Sequence, residues 1–319
     1  MIYASVDLGG TNIACGIAAS EGVFVAERTI PTLAHEGPES VLKRIAELVT
    51  NLAAGRTMSG LGLGVPGLAD LTQGRTLFLP NMPTQWREVE VCRRLSDSLG
   101  CPVALLNDAR MATLGEHTYG HGRDVRSMVF FTIGTGIGGG VVIDGKLRLG
   151  AYGGAGELGH QTIEPDGPLC GCGSRGCLET LASGPALAGE GVRLLRSGLA
   201  PRLQEFTDGD AGRVTPRSMA EAARDGDAYV QEAIQRVARY LGIGIANVVT
   251  ALHPELVVLG GGVAALDDLL LDPVREELKS RVRMFPLDGV RVLRSALGDR
   301  AGLFGGIALA ASRAKGVSA

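Results

Sequence analysis

The sequence predicts an α/β protein built from two similar lobes with a cleft between them. The 319-residue chain is longer than one ordinary small core requires and suits two lobes. Two segments, 2–30 and 127–147, both run strand, glycine-rich turn, strand, and they start about 120 residues apart. Helix-like and strand-like segments alternate elsewhere. A duplicated α/β domain accounts for all three observations.

The first segment predicts a three-stranded antiparallel meander over 2–7, 13–19 and 23–30, with turns at Gly9-Gly10 and Glu21-Gly22. A helix is expected next, over 39–53, because its apolar residues recur at helical spacing. The following elements are expected to be a strand, a loop, a polar helix and a strand: 61–66, 67–87, 88–99 and 102–106.

The second segment predicts strand, turn, strand and an Asp144-Gly145 turn over 127–147. A glycine- and cysteine-rich stretch follows at 150–177, and then helices with one strong strand at 256–262. We expect a small lobe over 1–110, completed by a C-terminal helix at 300–319. The large lobe is expected over 111–299 and carries the cysteine-rich stretch.

Charge and hydropathy argue against a nucleic-acid-binding protein and against a membrane-spanning protein. The net charge is −3 and the Lys and Arg residues are scattered, whereas a nucleic-acid footprint needs a concentrated basic face. The apolar runs are too short or too interrupted to span a bilayer. The start lacks the basic region of a secretory signal, so we expect a cytoplasmic protein whose cysteines are mostly reduced. Cys15, Cys92 and Cys101 are expected to be small core residues.

The two glycine turns are candidate anion sites. Residues 134–139 match G-x-G-x-x-G, but a strand follows them where a dinucleotide site requires a helix, and no P-loop motif is present. Hairpin turns of this kind expose backbone N–H groups, and Thr11 and Thr135 add hydroxyls. Either turn alone is equally compatible with an ordinary hairpin. The pair, with Asp7 ending the first strand, favours phosphate binding.

His160, Cys170, Cys172 and Cys177 follow the spacing H-x9-C-x-C-x4-C. Three thiols and one imidazole complete the tetrahedral ligand set of a structural zinc, with no position left for water. Unrelated buried cysteines and a catalytic zinc are the alternatives, and the spacing favours structural zinc over both.

The glycine turns carry a family resemblance. Residues 7–12 (DLGGTN) and 133–136 (IGTG) look like the phosphate-binding hairpins of the sugar kinase and actin ATPase superfamily. The resemblance implies a ribonuclease H-like fold of the actin/hexokinase type, with two lobes around an ATP and sugar cleft. It implies that ATP binds at Asp7, Gly9, Gly10, Thr11, Asn12, Gly134, Thr135, Gly136, Gly261 and Gly262. Mg²⁺ is expected at the β- and γ-phosphates, reached by Asp7 through water.

A second, more specific resemblance lies at 156–179. The runs GELGH and CGCGSRGCLE closely resemble the signature of the ROK family of repressors and kinases, and the likeness covers essentially the whole chain, with glucokinases nearest. It implies a structural zinc, a homodimer and ATP-dependent phosphorylation of a hexose, most simply glucose to glucose 6-phosphate. It places the sugar at Gly67, Asn81, Asn107, Asp108, Glu157, His160 and Glu179.

Asp108 is the expected general base. It ends a strand and precedes a helix-like run, where an ordinary N-cap is the alternative interpretation. The match of Asn107-Asp108 to the family favours catalysis, in which Asp108 accepts the proton of the attacking sugar hydroxyl. Trp86 has two interpretations of equal weight, packing near the sugar or packing in a lobe.

A transcriptional repressor and a non-catalytic sugar sensor are the alternative functions. ROK repressors carry a DNA-binding domain ahead of the sugar-binding unit, and a chain that opens on its first hairpin is expected to lack it. A non-catalytic sugar sensor is expected to have lost Asp108 or a glycine turn, and both are present. N-acetylmannosamine, N-acetylglucosamine, mannose and fructose are alternative hexoses, and polyphosphate is an alternative phosphoryl donor.

Overall fold

The computed structural model describes residues 1–314; the last five residues of the predicted 300–319 helix lie outside the described part. The strands are β1 (Ile2–Leu8), β2 (Asn12–Ala19), β3 (Phe24–Pro31), β4 (Met58–Val65), β5 (Leu68–Asp70), β6 (Arg75–Phe78), β7 (Val103–Asn107), β8 (Met128–Ile133), β9 (Ile137–Ile143), β10 (Lys146–Arg148), β11 (Leu256–Gly260) and β12 (Arg291–Arg294). The helices are α1 (Gly37–Ala53), α2 (Val91–Leu99), α3 (Asp108–Tyr119), α4 (Leu178–Ala182), α5 (Gly184–Arg196), α6 (Pro201–Thr207), α7 (Pro216–Arg224), α8 (Ala228–Leu252), α9 (Asp268–Arg281) and α10 (Ala301–Ala314).

Two five-stranded sheets have the same strand order. One runs β3-β2-β1-β4-β7 and the other β10-β9-β8-β11-β12. In the first, β1 pairs antiparallel with β2 and parallel with β4, which is parallel to β7. In the second, β8 and β12 are both parallel to β11, and β9 is antiparallel to β10. The predicted duplication of a mixed α/β unit is confirmed.

The chain forms two compact units. The first comprises 1–126, 140–156 and the segment from Asp299 onward; the second comprises 127–139 and 157–298. The unit boundary falls inside β9, between Gly139 and Gly140. The sequence-based lobe limits at 110 and 299 stay a prediction, and α3 belongs to the first unit.

Two short elements escaped the sequence analysis. The hairpin β5–β6 lies where only a loop was expected, and β12 adds an edge strand beyond the single late strand expected. These strands are only three or four residues long, too short to show the apolar alternation that predicts a strand. β12 forms against the buried strand β11, whereas β5 and β6 pair with each other.

Helix α10 packs closely on the first sheet because glycines line the contact. A Cβ atom on Gly62 of β4 would overlap the backbone of Gly306, and one on Gly115 of α3 would overlap the start of α10. The first turn of α10 consequently lies at the end of β1, where Gly302 adjoins the Asp7 carboxylate. Within residues 1–314, no helix combines the length and apolar character that a membrane crossing requires.

Candidate active site

The first unit gathers several predicted site residues at one edge of its sheet. Strands β1, β4 and β7 are adjacent and parallel, so their carboxyl ends share that edge. Asp7 pairs in register with Gly64, and Val65 pairs with Asn107. In open α/β sheets, ligands bind outside the carboxyl ends of the strands. This edge is therefore the candidate site of the first unit.

Asn107, rather than Asp108, caps helix α3. The Asn107 Oδ1 accepts hydrogen bonds from the backbone N–H groups of Ala109 (3.0 Å) and Arg110 (3.2 Å). Its Nδ2 donates to the Gly67 carbonyl at 3.1 Å, which holds the 64–67 loop against the start of the helix. Gly67 has φ +126°, and a Cβ there would overlap the Phe78 carbonyl, so only glycine suits the loop.

Asp108 is the first residue of α3 and is partly exposed. Its Oδ1 accepts a hydrogen bond from the Ala109 backbone N–H at 2.7 Å. Because Asn107 serves as the cap, the N-cap interpretation of Asp108 loses its structural basis. The carboxylate is held by its helix and still reaches the surface, which is the placement a general base needs.

Asp7 lies close enough to Asp108 to be affected by its charge. Burial and, secondarily, the Asp108 carboxylate raise the pKa of Asp7 from 3.8 to about 7. Two neighbouring carboxylates in a partly dry site disfavour a second negative charge. A divalent cation would relieve that repulsion, so the donor set suits Mg²⁺.

The first glycine turn is held by hydrogen bonds from Thr32, which lies outside the turn. Thr32 donates its hydroxyl to the Gly9 carbonyl at 2.7 Å and its backbone N–H to the Thr11 carbonyl at 2.8 Å. A Cβ on Gly10 would lie 3.0 Å from the Asn81 carbonyl, so the exposed Asn81 adjoins the turn. Thr11 and Asn12 are exposed and accessible to a ligand. Thr32 was missed because it is distant in sequence and belongs to no motif.

In the second unit, the glycine turn after β8 lies beside Gly261 and Gly262, which follow β11. Strands β8 and β11 are parallel neighbours, with Thr132 in register with Gly260. A Cβ on Gly261, which has φ +82°, would lie 2.5 Å from the Ile133 carbonyl. The predicted nucleotide residues Gly134, Thr135, Gly136, Gly261 and Gly262 therefore form one continuous edge, and Thr135 is exposed there.

Glu179 connects this edge to the cysteine-rich segment. Its Oε2 accepts a hydrogen bond from the Ile137 backbone N–H at 2.8 Å, and a Cβ on Gly136 would overlap the same oxygen. Its Oε1 lies 3.9 Å from the Cys170 sulfur. The carboxylate thus contacts both the second glycine turn and the cysteine-rich segment.

The four predicted metal ligands converge. The ligand atoms of His160, Cys170, Cys172 and Cys177 all lie within 4.8 Å of one another. The Cys172 and Cys177 sulfurs are 3.7 Å apart, and the Cys170 sulfur is 3.7 Å from His160 Nδ1. Tetrahedral zinc with its usual bond lengths requires about 3.8 Å between two sulfurs and about 3.6 Å between sulfur and nitrogen. The ligand set and its spacing fit zinc.

The second nitrogen of His160 faces a carboxylate. His160 Nε2 lies 3.9 Å from Glu157 Oε2, while Nδ1 faces the cysteines. A metal-bound imidazole is commonly oriented by a carboxylate on its other nitrogen. The backbone N–H of Ser174 lowers the pKa of the Cys172 thiol and so favours the thiolate that binds metal.

Trp86 belongs to the core of the first unit. Its side chain is buried, and it packs with Leu79, Met82 and other apolar residues of the same cluster. Of the two interpretations of Trp86, packing within a lobe therefore describes the indole ring. Its Nε1 has no hydrogen-bond partner among residues 1–314.

Arg110 is a functional candidate that the sequence analysis missed. Its side chain is 1% exposed, and Nη1 donates to Asn107 Oδ1 at 3.0 Å. Nε and Nη2 donate to the carbonyls of Ala155 (2.9 Å) and Gly154 (3.3 Å). An arginine in the first turn of a helix carries no sequence signal of burial, and its carbonyl partners lie more than forty residues away.

A family model, described as "ROK family", matches residues 3–313. The chain belongs to the ROK family. A glucokinase of Thermotoga maritima is 35% identical over 314 residues, covering 98% of each chain. A xylose repressor of Caldicellulosiruptor bescii is 31% identical over 96% of this chain and 77% of its own length. The family prediction is confirmed, and both branches of the ROK family are among the relatives.

The ROK fold is also found in solved structures. The ROK family glucokinase of Streptomyces griseus, in complex with glucose and AMPPNP, superposes with a TM-score of 0.87 at 33% identity. The match covers 98% of this chain and 100% of that chain. The predicted fold class, the two-lobed kinase fold, is confirmed.

Proposed function

We propose that this ROK protein is an ATP-dependent hexose kinase that converts glucose to glucose 6-phosphate. Relatives named glucokinase, 34–35% identical over nearly the whole chain, support a phosphotransferase that acts on a sugar alcohol. A related glucokinase in complex with glucose and AMPPNP supports ATP as the donor and glucose as the acceptor.

One observation carries the assignment of the base. The carboxyl ends of three adjacent parallel strands place Asp7, the Gly67 loop and Asn107-Asp108 at one edge, with Asp108 partly exposed at the first position of α3. A kinase requires a positioned carboxylate next to a cation site and a polar sugar pocket. In this proposal, Asp108 is the carboxylate, Asp7 lies at the cation site, and Gly67 and Asn107 border the sugar.

The proposed reaction transfers the γ-phosphoryl group to the sugar. The hexose hydroxyl oxygen forms a bond to the γ-phosphorus, the bond from that phosphorus to the β–γ bridging oxygen breaks, and ADP leaves. The hydroxyl proton passes to Asp108. Because the transition state is loose, positioning and charge stabilisation contribute more than a strong base does. The backbone N–H groups of the two glycine turns would offset phosphate charge.

We assign the remaining predicted residues to binding. The hexose is bound by Gly67, Asn81 and Asn107 together with Glu157, His160 and Glu179, and the nucleotide by the glycine turns. Asp7 would reach Mg²⁺ through water, and the ion would offset the charge of the β- and γ-phosphates. His160, Cys170, Cys172 and Cys177 would hold a structural zinc that keeps the adjoining segment in place.

The test is ADP release from Mg-ATP against a panel of hexoses: glucose, mannose, fructose, N-acetylglucosamine and N-acetylmannosamine. We expect saturable turnover, with the highest kcat/KM for glucose. Preference for another sugar of the panel would retain the kinase and overturn glucose. If a sugar binds but neither ATP nor polyphosphate supports turnover, the kinase proposal is overturned and a sugar sensor is favoured.

A further inference from the structure

Arg110 links two loops through its buried side chain. The guanidinium donates to Asn107 on one side and to the Gly154 and Ala155 carbonyls on the other. Asn107 in turn donates to the Gly67 carbonyl. A continuous hydrogen-bonded chain therefore runs from the 64–67 loop, through the start of α3, to the 150–155 loop.

The Asn107 amide is fixed by these bonds. Its Oδ1 accepts from the Ala109 and Arg110 backbone N–H groups and from Arg110 Nη1, so the oxygen has no capacity left for a ligand. Its Nδ2 uses one hydrogen for the Gly67 carbonyl. Within the described part of the chain, the second Nδ2 hydrogen is the one left for a ligand, so Asn107 can act toward a sugar hydroxyl as a donor alone.

The 150–155 loop is closed by its own backbone bonds. The Ala155 N–H donates to the Leu149 carbonyl at 2.9 Å, and the Gly154 N–H donates to the Ala151 carbonyl at 3.2 Å. Without Arg110, the carbonyls of Gly154 and Ala155 lose a charged donor, and the loop loses its attachment to α3. Charge-assisted hydrogen bonds of this kind are roughly twice as strong as neutral ones.

We infer that Arg110 is a positioning residue for hexose recognition: its buried guanidinium fixes both the Asn107 amide and the 150–155 loop. The inference rests on the proposed function, because it takes Asn107 as a sugar contact. Arg110 acts through Asn107 and the loop and does not take part in phosphoryl transfer. The planar guanidinium has five N–H donors and can reach Asn107, Gly154 and Ala155 at once. The lysine ammonium presents its donors from a single nitrogen.

The test compares Arg110→Met and Arg110→Lys with a matched arginine elsewhere. Arg275 also donates to a backbone carbonyl, that of Val292, through Nε (3.3 Å) and Nη2 (2.9 Å). Arg275→Met therefore controls for a general loss of arginine–carbonyl bonds. We expect Arg110→Met to raise the hexose KM roughly tenfold to a hundredfold, with the ATP KM within about twofold. Arg110→Lys should fall in between, and Arg275→Met should leave both KM values unchanged.

Amide hydrogen exchange gives a readout that does not need catalysis. Arg110→Met should speed exchange of the Gly154 and Ala155 amides at least about tenfold, while the amides of β8 stay protected. A variant that melts earlier but keeps the wild-type hexose KM and the wild-type exchange of the loop would overturn the inference. If Arg110→Met does not fold, Arg110→Lys carries the same comparison. Wild-type protein that turns over no hexose overturns the proposed function, and the exchange result still decides the positioning.

Discussion

The Ile137 backbone N–H donates a hydrogen bond to Glu179 Oε2 at 2.8 Å, while Glu179 Oε1 lies 3.9 Å from the Cys170 sulfur. One carboxylate thus joins the second glycine turn to the metal ligands. Glu179 lies in the first turn of α4, which starts directly after Cys177. The proposed zinc site therefore sets the position of a residue that supports the proposed phosphate site.

Replacement of Glu179 tests that link. Glu179→Ala leaves the Ile137 N–H without its acceptor, so we expect the ATP KM to rise roughly tenfold, the effect of about 1–2 kcal/mol. Glu179→Gln retains an acceptor oxygen and should keep the ATP KM within about threefold of the wild type. Initial-rate kinetics with ATP varied at saturating hexose measure both. Equal effects of the two variants would contradict the role of the Ile137 hydrogen bond.

Loss of one metal ligand should loosen the same segment. We expect Cys172→Ser to lower zinc affinity by more than about a hundredfold, since even residues that only orient ligands change affinity ten- to a hundredfold. The melting temperature and kcat should fall with the zinc content. Cys92→Ser, a half-buried cysteine outside the cluster, should retain one zinc per chain. Full activity in protein shown to be zinc-free would contradict the positioning role of the metal.

The glycine turns and the set of metal ligands could be predicted from the sequence because the residues that signal them lie close together in the chain. The glycine turns and the ligand spacing from His160 to Cys177 can be recognised from residues within one short run. The Asp144-Gly145 turn has positive φ at both residues, as its composition predicts. Strand β11 is apolar and fully buried, and it was expected because of its apolar sequence.

The long-range contacts could not be predicted. Thr32 supports the first turn from the end of β3, and Arg110 reaches carbonyls of the 150–155 loop. Each bond depends on tertiary packing that brings distant segments together, and no periodicity or motif reports it. The same holds for β12, whose partner β11 lies more than thirty residues earlier.

The raised pKa of Asp7 predicts a pH dependence of stability. The folded protein holds a proton on Asp7 up to about pH 7, whereas an exposed aspartate has a pKa of 3.8. Between these values the folded state binds more protons than the unfolded state, so the contribution of Asp7 to the free energy of unfolding falls as pH rises. Asp7→Asn should remove this loss and, at pH 8, raise the free energy of unfolding by on the order of 2–4 kcal/mol.

Urea unfolding at pH 5 and pH 8 measures the effect. The stability difference between Asp7→Asn and the wild type should be clearly larger at pH 8 than at pH 5, because the loss builds up from the unfolded pKa of 3.8 to the folded pKa of about 7. Mg²⁺ titration provides the control, because a cation bound by Asp7 should recover stability in the wild type alone. Parallel pH profiles of the two proteins would contradict the shifted pKa.

Asp108→Asn tests both the role of Asp108 as general base and the effect of its charge on the pKa of Asp7. Because the amide cannot accept the hydroxyl proton, kcat should fall about 10²- to 10⁴-fold, while hexose affinity stays within roughly tenfold. Asp97→Asn, an exposed position on α2, should leave kcat unchanged. Removal of the Asp108 charge should also lower the pKa of Asp7, since that charge contributes to raising it. Near-normal turnover would exclude Asp108 as the base; a large loss of kcat with an unchanged Asp7 pKa would separate catalysis from the interaction of the two carboxylates.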